Sequence, residues 1–423
     1  MKKASKFWLI ILILISVFCA DLSVTYADSD SDVVVSLQID NPMMKVNGKS
    51  FEIDSGRGTK PVIINGRTLV PIRAVVEAFG GSVSWNENSE MVSLSVDGDF
   101  IELVINSKNA YLNGKVIGLD VPPAIINDRT MIPLRVVAEG FNLGVAWDDN
   151  TDTVYVVRNS FDEAEYKKLM SVLPVYSGKP YAEINGNAPY FKEYEIIPAS
   201  FEYYSKLDEL RRTDVCMASV AEDIMPTEER KSLSSVTPTG WINKEYDFVS
   251  GKYLYNRCHL IGFQLTGENA NDRNLITGTR YLNVDGMLPF ENLVDDYVED
   301  TGNHVMYRVT PVFSGSNLVA DGVLMEAYSV EDEGRGVNFC VFCYNVQPNV
   351  VIDYKTGENY ASYEMVNYDL KEASDDVAIT VIYRTPTGKR YHKDAECGGK
   401  NSYEVTWYSA LEAGLTPCLK CAD

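Results

Sequence analysis

The sequence predicts an α+β protein built from three parts that differ in their patterns. A duplicated β-rich segment fills the first third of the chain, a longer segment alternates apolar and polar residues as strands do, and the tail concentrates His and Cys. At 423 residues the chain is too long for one ordinary hydrophobic core, so several domains are expected. Its apolar content of 45% and charged content of 23% are typical of folded domains.

The first residues have the composition of an export signal. Lysines at positions 2, 3 and 6 precede an apolar run from Phe7 to Phe18, and Thr25-Tyr26-Ala27 is a candidate cleavage site. We therefore predict a signal peptide over residues 1–27 and a protein that is secreted or held at the extracellular cell surface. An uncleaved anchor and lipidation at Cys19 are the alternatives.

A repeat defines the segment over residues 33–158. Residues 65–73 (NGRTLVPIR) recur as residues 127–135 (NDRTMIPLR), and each copy continues into a short helical pattern, a Trp and an alternating strand. Asn-Gly dipeptides at 47–48 and 113–114 predict a hairpin turn in each copy. The segment resembles the copper amine oxidase N-terminal-like (stalk) domain of bacterial surface proteins. It contains no His, so the resemblance implies a spacer or a contact with the cell wall and no copper chemistry.

A second motif lies in the middle of the chain, where an apolar stretch leads into Asn256-Arg257-Cys258-His259. On a strand, a spacing of two residues places Arg257 and His259 on one face. A neutral imidazole can accept a proton from an attacking water near physiological pH, and an arginine suits phosphate oxygens. The pair favours phosphodiester hydrolysis, although an Arg-x-His spacing alone is weak evidence.

Three further polar residues follow His259 at successive intervals of fifteen, nine and eight residues: Asn274, Asn283 and Glu291. Amides in otherwise apolar surroundings are hard to explain by packing. An amide oxygen is a neutral ligand for Mg²⁺, which keeps several of its waters in proteins. A metal held in this way can bind the scissile phosphate and stabilise the departing oxygen.

Together these motifs resemble the DNA/RNA non-specific endonucleases, in particular their DNA-entry nuclease branch, over residues 175–356. The resemblance implies a ββα-metal nuclease fold, with His259 as the general base and Asn283 as the ligand of Mg²⁺ or Mn²⁺. The first element of the family is Asp-Arg-Gly-His, from which this chain departs at Asn256 and Cys258. The departure affects the geometry of the loop more than the residues that carry the chemistry.

The resemblance assigns supporting roles to other residues. Glu291 matches a carboxylate that orients water on the metal, Asn274 a supporting asparagine, and Arg257 an arginine that faces phosphate. A further arginine of the family lies upstream, where Arg211 and Arg212 are both candidates. These positions together, rather than any one of them, predict a nuclease.

Other residues of this part have simpler interpretations. His304 is expected to be a surface or capping residue, and hydrolysis through a metal gives Cys258 no task as a nucleophile. Cys216 is a candidate disulfide partner for Cys340 or Cys343, and free buried thiols are the alternative. Cys340 and Cys343 are not expected to pair with each other, because they would face opposite sides of a strand.

The tail over residues 377–423 carries four candidate metal ligands: His392, Cys397, Cys418 and Cys421. Cys-x2-Cys is the spacing of tetrahedral Zn²⁺ sites, and a complete Cys3His set is typical of structural zinc. A segment this small needs such a link to fold, and disulfides are the alternative. The tail resembles small His/Cys metal-binding modules appended to nucleases, including the type in the Ada repair protein. Its pattern predicts a helix over Tyr403–Ala413.

The net charge of −22 limits how the protein can engage a polyanion. Proteins that bind DNA by neutralising many phosphates are usually basic, so positive charge must be local or come from the metal. We predict DNA as the substrate, with RNA as an open alternative, and no small-molecule organic cofactor. The rival hypothesis is a non-catalytic surface protein that binds DNA or the cell wall through a decayed nuclease domain.

Overall fold

The order of the elements follows the repeats and the alternating patterns of the sequence. The computed structural model describes residues 32–362 and, in the tail, residues 382–385, 388–392, 394–399, 402–405, 415–418, 420 and 421. The predicted signal peptide, residues 1–27, lies outside the described residues. The described residues divide into two compact units, the first ending at residue 141 and the second beginning at residue 142. In the part that is described, no helix is both long enough and apolar enough to cross a membrane.

The first unit is made of short antiparallel strands and two helices of seven residues each. Its strands are β1 (Val33–Gln38), β2 (Met43–Val46), β3 (Lys49–Glu52), β4 (Val62–Ile64), β5 (Arg67–Pro71), β6 (Ser82–Asn86), β7 (Met91–Val96), β8 (Asp99–Val104), β9 (Asn109–Leu112), β10 (Lys115–Gly118), β11 (Ala124–Ile126) and β12 (Arg129–Pro133). Its helices are α1 (Ile72–Ala78) and α2 (Leu134–Gly140).

The two copies of the repeat pair with each other. The repeated motif forms β5 in one copy and β12 in the other, and these strands are antiparallel neighbours with Val70 opposite Ile132. They are the inner strands of a sheet with the order β11-β12-β5-β4. Pro71 and Pro133 end the two strands and precede α1 and α2, because the fixed φ of proline suits the start of a helix.

The predicted Asn-Gly hairpins are confirmed. Residues 47–48 join β2 to β3, and residues 113–114 join β9 to β10. All four residues have positive φ, as the tight two-residue hairpin turn requires. The second hairpin belongs to a five-stranded meander with the order β10-β9-β8-β7-β6, in which β6 is an edge strand.

The second unit is an α+β arrangement, as predicted, in which sheets dominate. Before the tail, its strands are β13 (Gly144–Asp148), β14 (Thr153–Arg158), β15 (Tyr181–Glu183), β16 (Phe201–Tyr204), β17 (Cys216–Val220), β18 (Tyr255–His259), β19 (Leu275–Thr279), β20 (Val305–Val312), β21 (Gly322–Ser329), β22 (Asn338–Tyr344), β23 (Val350–Ile352) and β24 (Asn359–Ala361). Its helices are α3 (Glu163–Val172), α4 (Phe263–Thr266) and α5 (Leu288–Thr301), with 3-10 turns at Asn185–Asn187, Glu193–Glu195 and Glu222–Ile224 and a π-helical segment at Leu282–Met287.

A six-stranded antiparallel sheet with the order β15-β22-β21-β20-β17-β16 forms the centre of this unit. On one face, a hydrophobic cluster joins the sheet to hairpin β18–β19 and to α5, and it includes Cys343, Cys258 and Val294. On the other face, Cys340 packs in a second cluster with Leu169 of α3. The sheet is therefore buried on both faces, which explains why every residue of β20 is buried.

The cysteines of the second unit are free thiols. Cys340 and Cys343 lie in different clusters on opposite faces of β22, as predicted. The thiol of Cys216 donates instead to the backbone oxygen of Arg273 at 3.3 Å. Of the two predicted alternatives, buried free thiols are the one that the structure contains.

The tail forms a small sheet with the order β27-β25-β26-β28. Its elements are β25 (Ile382–Arg384), β26 (Arg390–His392), α6 (Ala395–Gly398), β27 (Tyr403–Val405) and β28 (Thr416–Pro417). The predicted helix over Tyr403–Ala413 is wrong at its start, because Tyr403–Val405 pairs with β25 as a strand. The hydrogen bonds of this pairing outweigh the local helical pattern, and residues 406–413 lie outside the described residues.

Candidate active site and candidate metal centre

Hairpin β18–β19 positions the predicted site residues. Its register places Asn256 opposite Gly278 and leaves His259 at the end of β18. Alternation along the strand puts Arg257 and His259 on one face. Cys258 points into the core, where a Cβ at Gly278 would lie 2.6 Å from the Cβ of Cys258. Gly278 therefore makes room for the cysteine that departs from the family pattern.

The imidazole of His259 is buried and held at both nitrogens. Nε2 lies 2.8 Å from the backbone oxygen of Asn269, and Nδ1 lies 3.2 Å from Nη2 of Arg230. A carbonyl oxygen can only accept a hydrogen bond, so Nε2 carries the proton and the lone pair of Nδ1 accepts from Arg230. Burial lowers the pKa of His259 to about 4, and the charge of Arg230 contributes to the shift. The imidazole is therefore neutral near pH 7.

Arg230 is the residue at this site that the sequence analysis missed. Its charge lowers the pKa of Glu291 as well as that of His259, which places it near both groups. Arg230 lies in a charged stretch after Pro226 that has no apolar periodicity. The spacing of residues in such a stretch does not predict a site residue. The only indication in the sequence was that Arg230 lies upstream of Arg257.

The predicted upstream arginines lie elsewhere. Arg212 donates to the carboxylate of Asp208 and to backbone oxygens at residues 315 and 317, so its contacts are structural. Arg211 is exposed and lies 3.7 Å from Asp272. Neither forms a hydrogen bond with His259 within the described part of the chain.

Asn274 is fully buried, and its amide holds the turn that follows His259. Its Oδ1 accepts from the backbone N–H of Ile261, and its Nδ2 donates to the backbone oxygen of Ile261, both at 2.9 Å. The N–H of Leu260 also donates to the backbone oxygen of Asn274. These contacts make Asn274 a positioning residue for the segment that carries His259.

An irregular helix brings Asn283 and Glu291 to one side. Asn283 lies in the π-helical segment that continues into α5. Pro289 has no N–H, and its ring crowds the carbonyl four residues before it, which favours a wider turn here. In a regular α-helix, two residues eight positions apart point in directions that differ by about 80°. A π turn contains one extra residue, so the side chains at positions 283 and 291 point in nearly the same direction.

Neither of these two side chains has a hydrogen-bond partner among the described residues. Glu291 is 9% exposed, and burial raises the pKa of its carboxyl to about 8, although the charge of Arg230 opposes the shift. A Cβ at Gly262 would lie 3.0 Å from that carboxyl, so this glycine provides the space that the carboxyl occupies. An unpartnered buried acid and an unpartnered amide on one helix face fit a hard divalent cation such as Mg²⁺.

Part of the guanidinium of Arg257 is available for a ligand. Its Nε donates to the backbone oxygen of Val236, and its Cζ lies 4.5 Å from the ring centroid of Trp241. Its terminal nitrogens have no hydrogen-bond partner within the described residues. Asn256, the other departure from the family pattern, accepts from Arg280 at 3.3 Å. Arg257 is therefore held by stacking and one bond, with its outer edge open to phosphate.

The remaining His of the nuclease part is not at this site. His304 lies at the surface, where its Nδ1 is 2.6 Å from the carboxylate of Glu331. The contact agrees with its prediction as a surface or capping residue.

The tail brings its four predicted ligands together. One ligand atom from each of them lies within 4.8 Å of the others: His392, Cys397, Cys418 and Cys421. The Sγ atoms of Cys397 and Cys418 are 3.8 Å apart, and Sγ of Cys421 is 3.7 Å from Nδ1 of His392. Zn–S bonds of about 2.3 Å in tetrahedral geometry place sulfurs about 3.8 Å apart. The cluster is a candidate metal site with the spacing of a tetrahedral ion.

Two parts of the chain match models of known families. Residues 192–331 match the family model of the DNA/RNA non-specific endonucleases. This part of the chain is therefore similar to the DNA/RNA non-specific endonuclease domain. His259, Asn283 and Glu291 all lie inside the matched range of this endonuclease domain. Residues 45–156 match the copper amine oxidase N-terminal domain, which agrees with the resemblance of the repeat.

Individual relatives cover these domains separately. A primary amine oxidase from Klebsiella aerogenes is 24% identical over 115 residues, a match that spans 27% of this chain and only 15% of that relative. Among solved structures, NucA from Streptococcus agalactiae with a magnesium ion bound is 23% identical with a TM-score of 0.41, and the match covers 47% of this chain and 97% of that chain. The Sda1 nuclease with a bound zinc ion is 28% identical with a TM-score of 0.33, over 38% of this chain and 80% of that chain.

The pH dependence of stability tests the environment of His259. Its pKa of about 4 in the fold lies below the ordinary value of about 6.5 that an unfolded chain has. As the pH falls from 7 to 5, His259 becomes protonated in the unfolded chain but stays neutral in the folded protein. This difference lowers the free energy of unfolding by about 2 kcal/mol over that range. We therefore expect His259→Gln to lose less stability over this range than the wild type, in urea unfolding at pH 7 and pH 5. Equal losses in the two proteins would contradict a buried neutral imidazole.

Proposed function

We propose that this protein is a secreted or surface-held endonuclease that hydrolyses phosphodiester bonds in DNA. In this proposal His259 is the general base and Asn283 holds a divalent metal ion. The endonuclease domain supports the reaction class. One observation carries the finer proposal: the buried, neutral His259, whose Nε2 faces a carbonyl and whose Nδ1 presents its lone pair. RNA is an open alternative substrate.

The base in this proposal is Nδ1 of His259, which accepts a proton from the attacking water. The carbonyl of Asn269 fixes the Nε2 proton and stabilises the imidazolium that forms. A pKa of about 4 makes a weak base, but the negative charge of a bound phosphate raises the pKa of a nearby imidazole. Substrate binding thus strengthens the base at the moment when it is needed.

In this proposal Arg230 binds His259 when substrate is absent and phosphate when substrate is bound. Without substrate its guanidinium donates to Nδ1 of His259 and covers the lone pair. A phosphate oxygen is a stronger, charge-assisted acceptor than an imidazole nitrogen. A bound phosphate therefore draws Arg230 away and opens Nδ1 to water, and Arg257 neutralises the same phosphate. Because these contacts go to the backbone of the nucleic acid, cutting is expected to be independent of sequence.

Asn283 and Glu291 are the residues that would hold and surround the metal. When bound, Mg²⁺ or Mn²⁺ supplies Lewis-acid stabilisation of charge on the phosphate and the departing oxygen. The amide oxygen of Asn283 is the direct ligand in this proposal, and Glu291 orients waters of the metal shell. Their lack of partners within the described residues supports these assignments, since a cation would satisfy both.

The tail is proposed to hold a structural Zn²⁺. Its four ligands leave no open position for a substrate, as in structural sites. The alternative of disulfides fits less well, because the Sγ atoms of Cys397 and Cys418 are 3.8 Å apart and the cysteines are free. The buried core of the tail that is described consists of Tyr391, Leu415 and Cys418, so metal binding would supply much of its folding free energy.

The proposed location outside the cell rests on sequence features. Residues 1–27 have the pattern of an export signal, and the repeat resembles domains of bacterial surface proteins. We propose that the first unit holds the nuclease at the cell wall.

Replacement of the base tests the reaction. His259→Ala is expected to lower DNA cleavage by about 10²–10⁴-fold, because a general base contributes that factor. The measurement is single-turnover cleavage of plasmid DNA in excess Mg²⁺. The matched control is His304→Ala, which removes an imidazole that pairs with Glu331 at the surface and should cleave like the wild type. Cleavage by His259→Ala within a factor of two of the wild type would refute the assignment, and no cleavage by the wild type would favour the non-catalytic rival.

Replacement of the metal ligand tests the second assignment. Asn283→Ala is expected to raise the Mg²⁺ concentration for half-maximal cleavage by roughly tenfold or more and to lower the maximal rate. The control is Asn292→Ala, which removes an exposed amide that accepts a hydrogen bond from Gln264. If the two variants have the same metal dependence as the wild type, the ligand lies elsewhere.

The zinc assignment is tested by metal content. The purified full chain is expected to hold about one zinc by elemental analysis, and Cys418→Ser should lose most of it because one of four ligands is gone. Cys340→Ala, which changes a buried thiol of the central sheet, is the control and should retain the metal. A wild-type protein without zinc and with paired tail cysteines would favour the disulfide alternative.

A further inference from the structure

A groove of about 630 Å³ lies on the first unit and is lined by residues that have no part in the proposed reaction. Both copies of the repeat contribute to it. Trp85 and Arg73 come from the first copy, and Asp128 and Arg129 come from the second. The groove therefore exists only because the two copies pair.

Trp85 presents an open aromatic face to this groove. It lies on the edge strand β6, and 42% of its surface is exposed. Its indole N–H has no partner among the described residues. The matching Trp147 of the second copy is half-buried and donates to Asp149 at 2.5 Å. Exposed aromatic side chains in concave surfaces are common in ligand-binding sites.

The polar groups around Trp85 are fixed and electrically balanced. Arg129 lies 2.6 Å from the carboxylate of Asp54, which also accepts from Thr59 at 2.6 Å. Burial raises the pKa of Asp54, but the hydrogen bonds from Arg129 and Thr59 outweigh it and lower the pKa. Asp54 therefore lines the groove as a charged carboxylate. Arg73 donates to the backbone oxygen of Val83 at 3.2 Å and lies 3.6 Å from Glu77. Both arginines are thus already neutralised.

The charge balance decides which class of ligand fits. A polynucleotide would bring phosphates toward Asp54 and Asp128 and would find no arginine without an acidic neighbour. A sugar hydroxyl can donate to a carboxylate and accept from a guanidinium at the same time, so it suits a wall where both lie side by side. The C–H face of a pyranose ring is apolar and flat and matches an exposed indole.

We propose that this groove binds a neutral polysaccharide of β-1,4-linked pyranose rings. One ring stacks on Trp85, and its hydroxyls bond to the Asp54–Arg129 pair and to Asp128. The first unit then attaches the protein to a glycan surface through a defined site. This inference does not depend on the nuclease activity, since none of its residues belongs to that site.

The test measures retention of the full-length protein on insoluble chitin and cellulose and its affinity for chitohexaose and cellohexaose by calorimetry. We expect the wild type to bind at least one of these glycans with little dependence on salt, and Trp85→Ala to weaken binding about tenfold or more. The matched control is Phe100→Ala, because Phe100 is an equally exposed aromatic (44%) that does not line the groove. No binding of the wild type to either glycan, or equal affinities of the two variants, would overturn the proposal.

A second arm distinguishes a glycan from a nucleic acid. Asp128 has a positive φ that asparagine tolerates, so Asp128→Asn removes one charge without straining the backbone. We expect this change not to tighten glycan binding and not to alter binding of an oligo(dT) strand. A tighter, salt-sensitive oligo(dT) complex in Asp128→Asn, or loss of oligo(dT) binding in Trp85→Ala, would overturn the proposal in favour of a polynucleotide groove.

Discussion

The nuclease part of the structure depends on the amide of Asn274, which bonds to both the N–H and the carbonyl of Ile261. A buried amide that satisfies both groups of one residue fixes where β18 ends and how the chain turns. His259 precedes this turn, and Gly262 follows it and borders the carboxyl of Glu291. One interaction therefore sets the relation between the candidate base and the candidate metal-binding helix. An apolar side chain here would leave two buried groups, the N–H and the carbonyl of Ile261, without these partners, which explains why an amide stands at this position.

Part of the site follows from the sequence because it rests on short-range geometry. The spacing of Arg257 and His259 requires only a strand, and the hairpin supplies it. Arg230 could not be found in this way, because packing of an irregular segment brings it to the imidazole. The strand at Tyr403–Val405 was missed for a related reason, since pairing with a distant strand overrides local pattern. The alignment of Asn283 with Glu291 depends on a π-helical turn, which Pro289 favours and which the spacing of the two residues does not reveal.

The net charge of −22 is a sum over the whole chain, and charges of both signs are distributed unevenly within it. In the central sheet, Arg308 lies 3.0 Å from Glu195 and 2.8 Å from Glu326, and all three are buried. Backbone N–H groups, including that of Tyr190 at 2.7 Å from Glu326, provide further donors. The charge of Arg308 offsets part of the negative charge of these two carboxylates. At the candidate active site, by contrast, Arg230 and Arg257 supply positive charge.

The pairing of β5 with β12 has a consequence for how this chain could have evolved. Each copy of the repeat supplies one inner strand, and the partner copy completes its hydrogen bonding. A single copy would leave one edge of that strand without backbone partners, and unpaired strand edges promote aggregation. Selection would therefore act on the two copies as one unit, so related proteins should contain both copies or neither. Once the duplication has occurred, the pairing of β5 with β12 makes the loss of either copy destabilising.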